Sequence, residues 1–87
     1  MKTIKVEILT PAGSFASDEA EFVVLPGYSG ELGILPGHTR LVAQLVPANI
    51  RLVNGKEIKR YATAAGFAVV EPTVIKIFTM TARSVQE

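Results

Sequence analysis

The chain contains no cysteine. That excludes a disulfide framework and any thiolate metal site, and it suits a reducing compartment such as the cytosol. Histidine is nearly absent too. His38 is the only one, whereas a zinc centre wants three or four nitrogen, sulfur or oxygen ligands. Charge of one sign is also missing: nine Lys/Arg stand against eight Asp/Glu, without the basic excess of a non-specific nucleic-acid binder. No segment approaches the roughly twenty apolar residues needed to cross a bilayer. The opening MKTIKVEILT separates its aliphatics with charges, unlike a secretory signal. Direct membrane insertion is therefore not expected, and any membrane association would go through a partner. There is no linker, low-complexity run or internal repeat. The expectation is one small domain over residues 1–87, burying roughly 60–65% of its unfolded surface.

What is present is a series of short alternating runs. In Lys2–Thr10, Ile4, Val6 and Ile8 alternate with Thr3, Lys5 and Glu7, the period-two pattern of a strand with one buried face. Pro11-Ala-Gly13 ends it. Glu19–Leu25 reads as a second strand, with Ala20, Phe22 and Val24 on one face, stopped by Pro26-Gly27. Leu41–Val46 is a short apolar run closed by Pro47. Ile50–Val53 and Ile58–Ala64 flank Asn54-Gly55, a strong hairpin signal for which a type I′ turn is expected. Phe67–Val70 and Val74–Thr79 form another candidate hairpin. No window carries an apolar stripe at 3.6-residue spacing, and β-branched residues dominate the apolar set. The pattern predicts an all-β fold: a single small antiparallel β-sandwich or flattened barrel.

One stretch stands apart. Residues 26–38 read PGYSGELGILPGH, with four glycines, two prolines, the single histidine and the acid Glu31. Gly27, Gly30 and Gly33 recur every third residue, but no G-K-[ST] follows and no helix begins there, so a phosphate cradle is not indicated. His38 with Glu31 could be read as a base and its orienting carboxylate, but neither a nucleophile nor a second ligand accompanies them. Turn-forming glycines explain the shape. They do not explain Glu31, Leu32, Ile34 and Leu35 displayed on it, which either point inward or make a contact surface.

The run GELGILPGHTRLVAQL resembles the signature stretch of the ε subunit of F-type ATP synthase (δ in mitochondria), G-E-hydrophobic-G-I-x-P-G-H-A-P-L. Val24-Leu25-Pro26-Gly27 before Gly30-Glu31 fits the same family closely, and Pro11–Phe15 with Ser17–Glu21 fits it loosely. Leu45-Val46-Pro47 with Ile50-Arg51-Leu52, the segment from Tyr61 to Val70, and Val74–Ala82 resemble its later strands. The departures are Arg40 in place of proline, Ala48 and Ala65 in place of glycine, and Met80 where an acid is common. In many members two helices follow this domain, whereas the sequence here stops at Glu87, so no inhibitory tail is expected within it.

The resemblance implies an N-terminal β-sandwich of a non-catalytic central-stalk subunit, linking the γ subunit to the membrane c-ring so that proton-driven rotation is coupled to ATP synthesis. It implies Gly30, Glu31 and Leu32 facing the c-ring, and Thr10, His38, Leu41, Val42 and Ala43 facing γ. It implies no catalytic residue, metal or cofactor, and no nucleic acid. The implied location is peripheral, on the cytoplasmic face of the bacterial plasma membrane within the ATP synthase complex. The residues alone leave a second reading open, a free-standing β-sandwich interaction module unrelated to that machine.

Overall fold

The computed structural model describes residues 2–85. Ten strands follow in chain order: β1 (Ile4–Thr10), β2 (Gly13–Ala20), β3 (Phe22–Gly27), β4 (Gly30–Ile34), β5 (Leu41–Leu45), β6 (Ala48–Asn54), β7 (Glu57–Thr63), β8 (Gly66–Val70), β9 (Val74–Thr79) and β10 (Ala82–Val85). Among the described residues there is no helix, as the missing 3.6-residue stripe predicts.

The strands join in the order β10-β7-β6-β3-β5-β8-β9-β1-β2, with β4 hydrogen-bonded to β3 off that path. All pairings are antiparallel except one. β1 runs parallel to β9, in the register Lys5↔Val74 through Leu9↔Phe78. The expected antiparallel barrel therefore holds, with this one parallel ladder added to it. Alternation has the same period in both kinds of ladder, so a strand's sequence does not reveal the direction of a partner some seventy residues away.

The sheet curls until β2, at one end, meets β7, next to the other end. Asp18 on β2 accepts a 2.9 Å bond from Lys59 Nζ and a 2.6 Å bond from Tyr61 Oη, both on β7. Phe15 of β2 lies edge-on to the Tyr61 ring at 6.0 Å. The result is a nearly closed barrel-like sheet whose inner side is lined by Ile4, Val6, Ile8, Leu25, Ile50, Ile75 and Ile77, all fully buried. β-branched and aliphatic side chains at alternate positions fill that space, and their burial is the main favourable term holding the fold.

Three elements differ from the sequence pattern. The run Glu19–Leu25 is not one strand, because the chain bends at Glu21 between β2 and β3. The bend breaks the alternation, and Val23, Val24 and Leu25 are buried consecutively. β3 sits between β4 on one side and β6 on the other, which explains its burial without alternation. The glycine-rich stretch is not a loop: Gly30–Ile34 is β4, paired from Val23↔Ile34 to Gly27↔Gly30. β10 pairs with β7 although its short, mixed sequence carries no alternation.

The β6–β7 hairpin forms where Asn54-Gly55 predicts it, with a shift in the turn. Asn54 pairs with Glu57, so Gly55 and Lys56 are the two central residues. Gly55 has φ +64°, and no non-glycine residue among those described has positive φ. A type I′ turn needs positive φ at both centres, so this is a turn of the II′ kind with glycine first. Lysine at the second centre avoids the left-handed region.

Candidate functional site

The distinctive stretch becomes a tight hairpin because its residues leave few alternatives. Gly27 and Gly30 close a two-residue turn over Tyr28-Ser29. A Cβ on Gly27 would lie 2.6 Å from the Gly30 carbonyl oxygen, and Gly30 itself has φ +129°. A side chain is excluded at the first position by space and disfavoured at the second by backbone conformation. Pro26 opposes Glu31, and its carbonyl accepts from Val46 N–H at 3.0 Å. Lacking an N–H, it fits here because that site needs only an acceptor.

The four apolar or acidic residues of interest divide by phase. Ile34 is buried, Leu32 is half-buried against the core, and Glu31 and Leu35 are exposed. Two of the three aliphatics therefore serve the interior. The rest is displayed.

Beside the hairpin lies β5. Its residues alternate sharply: Val42 is 70% exposed while Ala43, next to it, is 8% exposed and belongs to the core. Leu41 is half-buried against that core. An open groove of about 340 Å³ separates the hairpin from β5, with Gly30, Glu31 and Leu32 on one side and Val42, Ala43 and Gln44 on the other. Residues expected to meet two different partners thus share one groove.

His38 and Thr10 lie elsewhere. His38 is half-buried in the β4–β5 connection, its Nδ1 2.7 Å from the carbonyl oxygen of Thr39. The connection is held down by Gly37 N–H donating to the Pro72 carbonyl at 2.8 Å. No hydrogen bond or ion pair joins His38 to Glu31, so the base-and-orienter arrangement is not formed. Among the described residues no three His, Asp or Glu side chains come together as metal ligands would. Thr10 ends β1, its Oγ1 donating to the Gly13 carbonyl at 3.3 Å and accepting from Ala12 N–H at 3.2 Å. It borders a second, apolar groove of about 370 Å³ with Phe67, Phe78 and Met80.

Sheet register links the two grooves. Gln44, Phe67, Phe78 and Leu9 stand in one row across β5, β8, β9 and β1. The row beside it runs Val42, Val69, Lys76 and Glu7, apolar on β5 and β8 and charged on β9 and β1. Phe67 stacks on Phe78 with centroids 5.0 Å apart. This outer face is apolar from Val42 and Val69 to Phe67, Phe78 and Leu9, and gives way to charge at Lys76 and Glu7. Phe67 and Met80 are exposed on it; the sequence marks Met80 only as a departure from the family pattern and does not mark Phe67 as a surface residue. The available signal was the alternation itself, which puts Phe67 opposite in phase to buried Ala68. A connected apolar patch of this kind marks a contact surface.

Comparison with known proteins adds an independent line. The family model for the ATP synthase delta/epsilon chain β-sandwich domain matches residues 3–85. The ATP synthase epsilon chain of Bordetella avium is 40% identical over 83 residues, covering 94% of this chain and 59% of that protein. The epsilon chain of Desulfitobacterium hafniense is 42% identical over 81 residues, covering 92% of this chain and 61% of the relative. This chain therefore spans about three-fifths of such relatives. Among solved structures, a chain of the Euglena gracilis mitochondrial ATP synthase (OSCP/F1/c-ring, rotational state 1) superposes with a TM-score of 0.85 at 25% identity, over 94% of this chain and 53% of that one. A chain of the Tetrahymena thermophila mitochondrial ATP synthase central stalk/c-ring gives 0.74 at 15% identity, over 94% and 66%, a likeness of fold alone.

Proposed function

The chain belongs to the ATP synthase delta/epsilon β-sandwich family, and from that premise we propose that it is a non-catalytic rotor piece of the central stalk. In this reading it joins γ to the c-ring, so that ring rotation driven by protons reaches the catalytic head. It works peripherally on the cytoplasmic face of the bacterial plasma membrane, within the assembled complex. Gly30, Glu31 and Leu32 on the hairpin face the c-ring. The β5 side, through Leu41 and Val42, and the neighbouring surfaces at His38 and Thr10 face γ. Ala43 points into the core and shapes that surface from beneath.

The observation that carries the reading is the groove between the β3–β4 hairpin and β5, where an exposed carboxylate and an exposed aliphatic sit on a nearly closed sheet. A coupling element needs a stiff body with adjoining contact surfaces and no moving chemistry. Hydrogen-bonded strands meeting at the Asp18 clasp supply the stiffness, and the groove lets γ and the c-ring meet the same edge. A carboxylate there sets register and partner choice more than raw affinity.

The test is Glu31→Lys. Glu31 is exposed and makes no ion pair among the described residues, so its replacement leaves the melting temperature within about 4 °C of the parent. Retention of the chain on c-ring proteoliposomes carrying γ falls roughly tenfold, about 1.4 kcal/mol. A large fall in melting temperature would make Glu31 structural. Unchanged retention would remove it from the c-ring contact.

A further inference from the structure

β5 is an interior strand in the sheet order, yet on one side it is almost unpaired. It pairs with β8 along its full length, from Leu41↔Val70 to Leu45↔Gly66. Towards β3 it pairs at one position, Gly27↔Leu45. The reason lies in the hairpin. Gly27 begins the turn into β4, so the strand that would cover Leu41–Ala43 leaves the sheet there.

The direction of the uncovered groups follows from one bond. Tyr28 N–H donates to the Gln44 carbonyl at 2.8 Å, so Gln44 directs its backbone groups away from β8 and towards the hairpin. Backbone direction repeats every two residues. Val42 therefore directs its N–H and C=O the same way, into the groove beyond the turn, where no strand among the described residues meets them. Each is an unfilled ladder position.

The groove suits a backbone. Gly27, Gly30, Ser29 and Ala43 line it with little side-chain bulk, leaving close approach open. Its other wall is β4, itself an edge strand paired to β3 alone. Glu31 is the one charged residue on the lining, which disfavours an acidic occupant and favours a neutral or basic one.

We propose that β5 accepts an extended, non-acidic segment of the γ subunit as an added antiparallel or parallel strand, hydrogen-bonded to the Val42 N–H and C=O. This rests on the rotor reading and deepens it: γ is gripped by main-chain ladder bonds at β5 in addition to side-chain packing on the apolar face. Strand addition takes its affinity from backbone bonds and its specificity from alternate side chains. The exposed Val42 side chain serves the second purpose.

The experiment is amide hydrogen exchange by NMR on the 15N-labelled chain, free and saturated with purified γ subunit from the same source. Val42 N–H exchanges quickly in the free chain, while Ala43 N–H, bonded to β8, is already protected. On binding, Val42 N–H slows at least tenfold. Val42→Pro, which deletes only the groove-facing N–H, lowers γ affinity tenfold or more while Val42→Ile preserves it. Binding of γ with Val42 exchange unchanged, or with undiminished affinity for a folded Val42→Pro chain, overturns strand addition and leaves the rotor reading intact. If Val42→Pro does not fold, the exchange result decides. An absence of any resonance shift with γ overturns the rotor reading and this inference together.

Discussion

Gly66→Val lowers the melting temperature by about 12 °C or more, from a loss of at least about 3 kcal/mol. Gly66 starts β8 and pairs with Leu45 on one side and Thr79 on the other. A Cβ built there runs into the Phe78 carbonyl oxygen and comes within 3.0 Å of the Phe78 carbonyl carbon. These are backbone atoms of a paired strand, so relief requires β9 to move. Movement of β9 would disturb Ile75 and Ile77, both fully buried, and the parallel ladder to β1. Valine adds two further methyl groups to that conflict. A thermal melt followed by far-ultraviolet circular dichroism measures the loss. A variant melting within a few degrees of the parent would mean that β9 yields easily and that the close approach is not a constraint.

The second large effect concerns the Asp18 clasp and its pH dependence. The Lys59 ammonium and then the Tyr61 hydroxyl hold the Asp18 carboxyl below its usual range, against the opposing effect of burial. Burial, and then the bond to Asp18, pushes the Tyr61 phenol up to about 12. The signs follow directly. A depressed carboxyl stabilises the fold above its unfolded value of about 3.9, and that contribution fades as pH falls through and below it. A raised phenol stabilises the fold below its unfolded value of about 10, and that contribution fades as pH rises from there towards about 12. Lys59, raised by the same bond, loses its share on the alkaline side as well.

Asp18→Ala removes the acceptor of both bonds and leaves the part-buried Tyr61 hydroxyl without its partner. The Tyr61–Asp18 bond, made to a charged acceptor, is worth about 1.5–3 kcal/mol. The variant therefore loses at least that much at pH 7. Tyr61→Phe loses less, because no orphan hydroxyl remains, and it abolishes the phenol's part of the alkaline decline between about 10 and 12. Urea midpoints across the pH range give both results. An alkaline profile identical for Tyr61→Phe and the parent would remove Tyr61 from the clasp's pH response.

These effects bear on function because the clasp ties β2, one end of the sheet, to β7 near the other. A rotor element that opened between β2 and β7 would lose the rigidity with which it passes torque between its contact surfaces.

Much of this was legible before the structure, where local pattern and local geometry agree. The strict alternation of Ile4, Val6 and Ile8 gave β1, and the run Val74–Thr79 is β9 without a change of boundary. Asn54-Gly55 gave its hairpin, although the turn uses Gly55 and Lys56 as centres. What escaped depends on distant partners. β4 looked like a loop because its glycines and Pro36 resemble turn residues; only pairing with Val23–Gly27 makes it a strand. β2 is polar over most of its length because it lies at the edge and turns few residues inward. The Asp18 clasp was invisible, since 41 and 43 residues separate its partners in sequence.

The candidate site divides in the same way. Glu31 and Val42 could be nominated through resemblance to the family, and both are exposed. That they share a groove could not be foreseen, because it depends on β3 turning away at Gly27. Ala43, nominated with them, is buried by its phase on β5. Phe67 was not nominated, and Met80 stood out only as a departure from the family pattern, because alternation gives relative phase, whereas the identity of the water-facing side depends on which sheet face closes around the core.

The most direct test of the rotor reading is calorimetric titration of the folded chain into purified γ subunit from the same source. The expected result is saturable one-to-one binding, weakened by roughly 1–3 kcal/mol in Val42→Asp through an unpaired charge in an apolar contact, with that variant's melting temperature close to the parent's. No heat of binding from a chain shown to be folded, or binding indifferent to the charge at Val42, would contradict it.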